Sequence, residues 1–219
     1  MLEKEEILKG IALKNEVIFK KIFGKKGNEN LLKIFLESIL ETQIESLTVD
    51  LDRALSSDIL DENSSRFVVN AKLSDGKNVI IEIRTNISEF SEEESLASWC
   101  ELYSEQFEVE DDYETANKVI SIWIVNDKAF DFSDYHSIWK IGEVEKGRTE
   151  HFDDFEIHVI DLEKLRIENI LEPKNKEFWL WFIDHTNMAL VDMACSLPEI
   201  RKVRAEYEKI IEETEFDEK

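Results

Sequence analysis

Two cysteines, two prolines and six glycines are all that 219 residues hold of the types that staple, break or punctuate a chain. Cys100 and Cys195 sit far apart in apolar, helical-looking stretches, and no His or Cys partner stands at zinc spacing, so neither disulfides nor a structural metal is expected to organise the fold. A reducing, cytoplasmic location is the expectation. There is no Ser- or Gly-rich linker and no repeat at solenoid periods. The expected organisation is therefore one domain over residues 1–175, followed by a C-terminal helical extension with an acidic tail over 176–219. Long apolar runs are missing too. The strongest, Phe178 to Ile183, is followed by Asp184 and His185 and is far too short to span a bilayer. Met1-Leu2-Glu3-Lys4-Glu5-Glu6 lacks the basic-then-apolar character of a leader. No membrane partner is expected.

Positive charge is scarce as well: 27 Lys and Arg stand against 50 Asp and Glu, for a net charge of -23. The imbalance is uneven, because residues 1–33 hold eight Lys/Arg against five Asp/Glu and leave 19 against 45 for the remainder. Such a field repels a phosphate backbone, whose binding draws on clustered cations that release counterions. Solubility alone accounts for the charge, and any DNA contact has to be local or carried by Mg²⁺.

What is present is clear periodicity. Asn15 to Phe23 reads as a helix stopped at Gly24, and Asn28 or Asn30 is placed to cap a second, in which Leu31, Phe35 and Ile39 recur at helical spacing. Residues 66–73 alternate with period two, putting Phe67, Val69, Ala71 and Leu73 on one face and Arg66, Val68, Asn70 and Lys72 on the other. Ser74-Asp75-Gly76-Lys77 supplies a hairpin turn, and Asn78 to Arg84 returns with Glu82 and Arg84 on a shared face. An amphipathic helix is predicted from Glu92 to Phe107, its seam being Leu96, Trp99, Cys100, Tyr103 and Phe107. Val119 to Val125 and Phe155 to Leu162 read as buried strands, and Lys176 to Glu213 as helical with a break near Pro198.

A helix, a hairpin with a carboxylate on its second strand, a helix and a further strand form the layout of nucleases that hold Mg²⁺ at a hairpin. That chemistry needs carboxylates gathered on a hard cation, plus a group that orients or activates water. Glu82 supplies one carboxylate, while the facing positions on the first strand hold no acid.

The resemblance at this point is specific. Lys14-Asn15-Glu16-Val17-Ile18-Phe19-Lys20-Lys21-Ile22-Phe23-Gly24 resembles the opening motif K-N-D-x-x-F-K-x-x-F-G of the recombination-promoting nuclease and transposase family within the PD-(D/E)XK superfamily. Leu31 to Leu40 resembles the helix that follows it. Ile120-Ser121-Ile122 with Asp134-Tyr135-His136, and Glu156-Ile157-His158-Val159-Ile160, resemble two later signatures, so the similarity runs from about Leu13 to about Leu165. It implies a PD-(D/E)XK nuclease-like core: an α/β fold whose mixed central sheet carries a β-hairpin and is flanked by helices on both faces. It also implies metal-dependent hydrolysis of DNA phosphodiesters.

The family pattern is an Asp in R-L-D-V on the first hairpin strand and I-E-x-Q on the second. This chain has Arg66-Phe67-Val68-Val69 and Ile81-Glu82-Ile83-Arg84. By resemblance, Glu82 and Glu16 are the metal ligands, for Mg²⁺ or Mn²⁺ if activity is retained, and Glu82, Arg84 and Glu16 are the catalytic positions. A valine in place of the Asp cannot ligate Mg²⁺, and a guanidinium in place of Gln or Lys has no lone pair to activate water. Glu94 replaces a family Arg on the following helix. The expected function is therefore nuclease-like by ancestry with weak or lost cleavage. The alternative is an inactive interaction protein that pairs with an active relative, or binds a basic partner through its acidic surface; a homo-oligomer is a further expected partner state. Asp61 and Glu62 read as loop, Asp75 as a turn residue, and His136, His151, His158 and His185 as surface or structural residues.

Overall fold

The structure, a computed structural model, describes residues 13–50, 67–87, 90–108, 113–148 and 152–217. Two compact units emerge: residues 1–42 together with 169–219, and residues 43–168. This partition groups the C-terminal helices with the N-terminal ones, whereas the sequence places a boundary at 175. The contacts that decide the matter join segments over a hundred residues apart, which composition along the chain does not register.

The helical unit opens with α1 (Glu16–Phe23), whose N-cap Asn15 accepts from the backbone N–H groups of Val17 and Ile18 at 3.0 and 3.4 Å. In α2 (Glu29–Leu40) Leu31, Leu32, Phe35, Leu36 and Ile39 are buried, as the helical spacing requires. Asn28 holds the N-cap position, but its amide donates to the Ile22 carbonyl at 2.8 Å and does not cap. The C-terminal segment breaks twice, giving α5 (Asn175–Asp184), α6 (Met188–Ala194) and α7 (Pro198–Asp217). The first break falls at His185, a left-handed residue with φ 55° that sequence reasoning did not single out. Phe35 lies at the centre of an aromatic cluster, with ring centroids 5.8 Å from Phe19, 5.7 Å from Phe23 and 5.6 Å from Trp179. Trp179 and Phe182 are thus core residues.

The second unit is a six-stranded mixed sheet in the order β1-β2-β3-β4-β6-β5. Its strands are β1 (Ile44–Val49), β2 (Phe67–Leu73), β3 (Asn78–Ile87), β4 (Lys118–Val125), β5 (His136–Trp139) and β6 (Phe155–Asp161). β1, β2 and β3 pair antiparallel, β4 lies parallel to both β3 and β6, and β5 closes the far edge antiparallel to β6. The β2–β3 hairpin turns through Gly76 at φ 89°, with Asp75 Oδ1 accepting from the Lys77 N–H at 3.0 Å. Asp75 is therefore a turn residue, while Asp61, Glu62, Arg66 and His151 lie outside the described residues.

Helix α3 (Glu92–Ser104) crosses the sheet face that carries Val68, Ile80, Val119, Trp123 and Ile157, and the Trp99 indole N–H pins it to the Val119 carbonyl at 2.9 Å. A short α4 (Leu162–Ile167), capped by Asp161, follows β6. No helix among the described residues is long and apolar enough to cross a membrane. Replacing Phe35 with alanine is expected to cost about 3–5 kcal/mol. Urea unfolding followed by tryptophan fluorescence checks this.

Candidate functional site

The antiparallel register places Val68 directly opposite Glu82, and the parallel β3–β4 register places Ser121 on the other side of Glu82. A single row across the sheet therefore reads Val68, Glu82, Ser121, with Ile157 of β6 next. Asn70 and Lys72 share the Val68 face of β2, so among the described residues that face of the strand holds no carboxylate. The register therefore puts Val68, a residue with no donor atom, beside Glu82.

Glu82 is fully buried. The Ser98 hydroxyl of α3 donates to one carboxylate oxygen at 2.6 Å, and the Ser121 hydroxyl of β4 donates to the other at 2.8 Å. Glu82 is thus no solvated carboxylate; of the nearby cations, Lys72 reaches Glu45 at 2.8 Å and Arg84 reaches Glu94 at 2.9 Å. Burying a carboxylate costs several kcal/mol unless donors replace its water, and the two serines meet that need.

The predicted seam of α3 has to be corrected. Ser95, Ser98, Trp99 and Leu102 face inward, whereas Leu96 is half exposed and Cys100 is on the surface. The inward positions still follow helical spacing, but two are serines: Ser98 meets the carboxylate that the sheet presents, and the Ser95 hydroxyl donates to the Glu92 carbonyl of its own helix at 2.8 Å. An apolar-only reading rotates the helix toward Leu96. Ser98 and Ser121 were missed for the same reason, and the signal that could have found them is a small hydroxyl residue wherever the periodicity demands burial.

Arg84 is also buried, and its guanidinium lies 4.5 Å from the centre of the Trp123 ring, on which it packs as a cation on an aromatic face. Its terminal nitrogen pairs with Glu94 in the first turn of α3. Glu94 therefore neutralises Arg84. Glu16 belongs to the helical unit, where it begins α1 and pairs with Lys20 at 2.6 Å in an i,i+4 bridge.

A divalent cation needs several oxygen donors converging on one point. Among the described residues no three His, Cys, Asp or Glu side chains gather in a group that could hold a metal ion. At the hairpin, a valine faces a carboxylate whose two oxygens already accept from serines. That donor set does not fit Mg²⁺ or Mn²⁺.

The opposite sheet face carries a polar network that sequence reasoning did not assemble. Glu156 accepts from His158 Nε2 at 2.7 Å and from Lys118 and Lys140 Nζ, each at 2.9 Å. His158 is buried, and its Nδ1 meets His136 Nε2 at 3.0 Å. Bonding to an ionised Glu156 makes Nε2 of His158 the donor, so in the neutral ring Nδ1 accepts from His136. Burial alone would raise the Glu156 pKa, but the hydrogen bonds from His158, Lys118 and Lys140 outweigh it and hold the carboxyl well below the usual range.

Two consequences are measurable. Ser98→Ala removes a hydroxyl donor from the buried Glu82 and is expected to lower stability by about 1–3 kcal/mol, whereas Ser104→Ala on the exposed end of α3 stays within about 0.5 kcal/mol; urea midpoints decide. Glu156→Gln is expected to cost on the order of 3 kcal/mol at neutral pH. The folded-state Glu156 titrates below its unfolded value, so its stabilisation is complete above about pH 5 and fades as pH falls below about 4.3. Melting curves of wild type and Glu156→Gln should therefore converge on acidification.

The order helix, hairpin, helix and further strand that the sequence motifs imply is present from α2 to β4, with β1 added to the hairpin as a third antiparallel strand. Comparisons with curated proteins and with solved structures found no match. The model of the PD-(D/E)XK nuclease family transposases matches residues 13–219, nearly the whole chain and including the C-terminal helices, and this protein belongs to that family.

Proposed function

We propose that this chain keeps the PD-(D/E)XK scaffold as a nuclease-derived protein in which metal-dependent cleavage of DNA is weak or lost. The observation that carries the reading is the state of Glu82, which is buried under α3, held by Ser98 and Ser121, and faced by Val68. In-line hydrolysis of a phosphodiester needs a cation that contacts both phosphate and water, and so a carboxylate open to both. Arg84 adds to the case. As a cation on the site face it is the natural contact for a phosphate, and it is already paired with Glu94 and packed on Trp123.

The role that fits such a chain is that of an interaction protein, pairing with an active relative or with a basic partner. The net charge of -23 opposes DNA and favours cationic surfaces. Both cysteines are free thiols, in keeping with a cytoplasmic setting. Plasmid incubated with purified protein and Mg²⁺ or Mn²⁺, beside Glu82→Ala, is expected to show no cleavage above the protein-free control in either sample. Robust cleavage that disappears in the variant would overturn the proposal.

A further inference from the structure

His185 ends α5 ahead of α6, and its backbone there is left-handed at φ 55°. A helix end in that conformation ordinarily takes glycine or asparagine, so it is the ring, not the backbone, that distinguishes this residue. His185 is buried, with its ring centroid 6.2 Å from that of Phe182 and 5.6 Å from that of Tyr207 in α7. Tyr207 is buried too, in the row Ile200, Val203, Tyr207 and Ile211 by which α7 joins the core of the helical unit. The imidazole therefore stands where the end of α5 meets α7.

The surroundings of that ring oppose a proton. The charged groups that act on it are Arg204 of α7, Lys14 ahead of α1, and Asp184 of α5. Asp184 is already committed, one oxygen to Lys14 Nζ at 3.2 Å and the other to the Thr186 hydroxyl. Arg204 holds Asp192 of α6 at 3.1 Å and Glu208 at 2.9 Å, and meets the Cys195 thiol at 3.5 Å. Tyr207, pushed up to about 12 by burial, is a neutral phenol. Burial acts most strongly on His185 and pushes its pKa down. The Phe182 carbonyl, which accepts from the ring, and Asp184 pull the other way, while Arg204 and Lys14 reinforce burial. An imidazolium here would be a further cation set among aromatic rings. We propose that His185 is a pH-sensitive latch for α7, which stays docked while the ring is neutral and is released as the ring takes up a proton on mild acidification.

Proton linkage gives the direction. A freed histidine titrates near about 6.5 and the docked one lower, so between the two the open form binds more protons. Each pH unit below about 6.5 then favours opening by up to about tenfold, until the docked ring itself titrates. Exposed carboxylates titrate below this window. Hydrogen exchange of the full chain, read by mass spectrometry on peptides from residues 198–217 and normalised to the intrinsic rate at each pH, is the test. Protection of α7 is expected to fall at least about threefold from about pH 6.5 to 5.5 in the wild type. It should hold level in His185→Asn, which suits a left-handed backbone and carries no titratable group, and in His185→Phe, which keeps a ring against Tyr207. His185→Asn decides alone should the phenylalanine variant fail to fold. Proton resonances of the His185 ring should titrate with a midpoint below about 6.5. Wild-type protection that stays level across the window, an equal loss in His185→Asn, or a ring midpoint at or above about 6.5 would overturn the proposal.

Discussion

A buried carboxylate held by two serine hydroxyls is the constraint on which the rest of this site depends. Glu82 sits in the middle of the sheet, beneath a helix, with water excluded. Ser98 of α3 and Ser121 of β4 each replace a water that its carboxylate gives up on burial. The Ser98 bond and that of the Trp99 indole to the Val119 carbonyl tie α3 to the sheet in the one rotation that also brings Glu94 over Arg84. The sheet and α3 close around this acid. Among the described residues the arrangement is mutually consistent: Val68 opposite Glu82 brings no second carboxylate to repel it, and Arg84 is paired to Glu94.

The hairpin, its register, both buried strands β4 and β6, and the core of α2 were legible in the sequence, because each is written in an uninterrupted period or a turn with one mechanical solution. The alternation placed Val68 on one face with Arg66, Asn70 and Lys72, and the register singles it out as the residue opposite Glu82. β1 and β5 were not legible. β1 spreads its polar residues over a half-exposed edge, and β5 is four residues long, too short for alternation to stand out. The orientation of α3 was misread because its inward face is partly serine. The break at His185 escaped because a left-handed residue there needs neither glycine nor proline. The Glu156–His158–His136 network joins three side chains from two strands whose pairing no local pattern announces, although Glu156 and His158 alternate onto one face.

The two sheet faces have different roles. One buries Glu82 and Arg84 beneath α3. The other holds Glu156 as an ionised carboxylate among three donors, one of them Lys140, just beyond the outer strand. In a chain so rich in carboxylates, which of them are bound internally and which remain in solvent governs where another macromolecule can approach.

The central claim is that Glu82 serves the fold and holds no metal. Titration of Mn²⁺ into wild type and Glu82→Ala, followed by the electron paramagnetic resonance of the free ion, tests it most directly. Indistinguishable binding, from weak surface carboxylates alone, is the predicted result. A stoichiometric site present in the wild type and absent from Glu82→Ala would contradict the account.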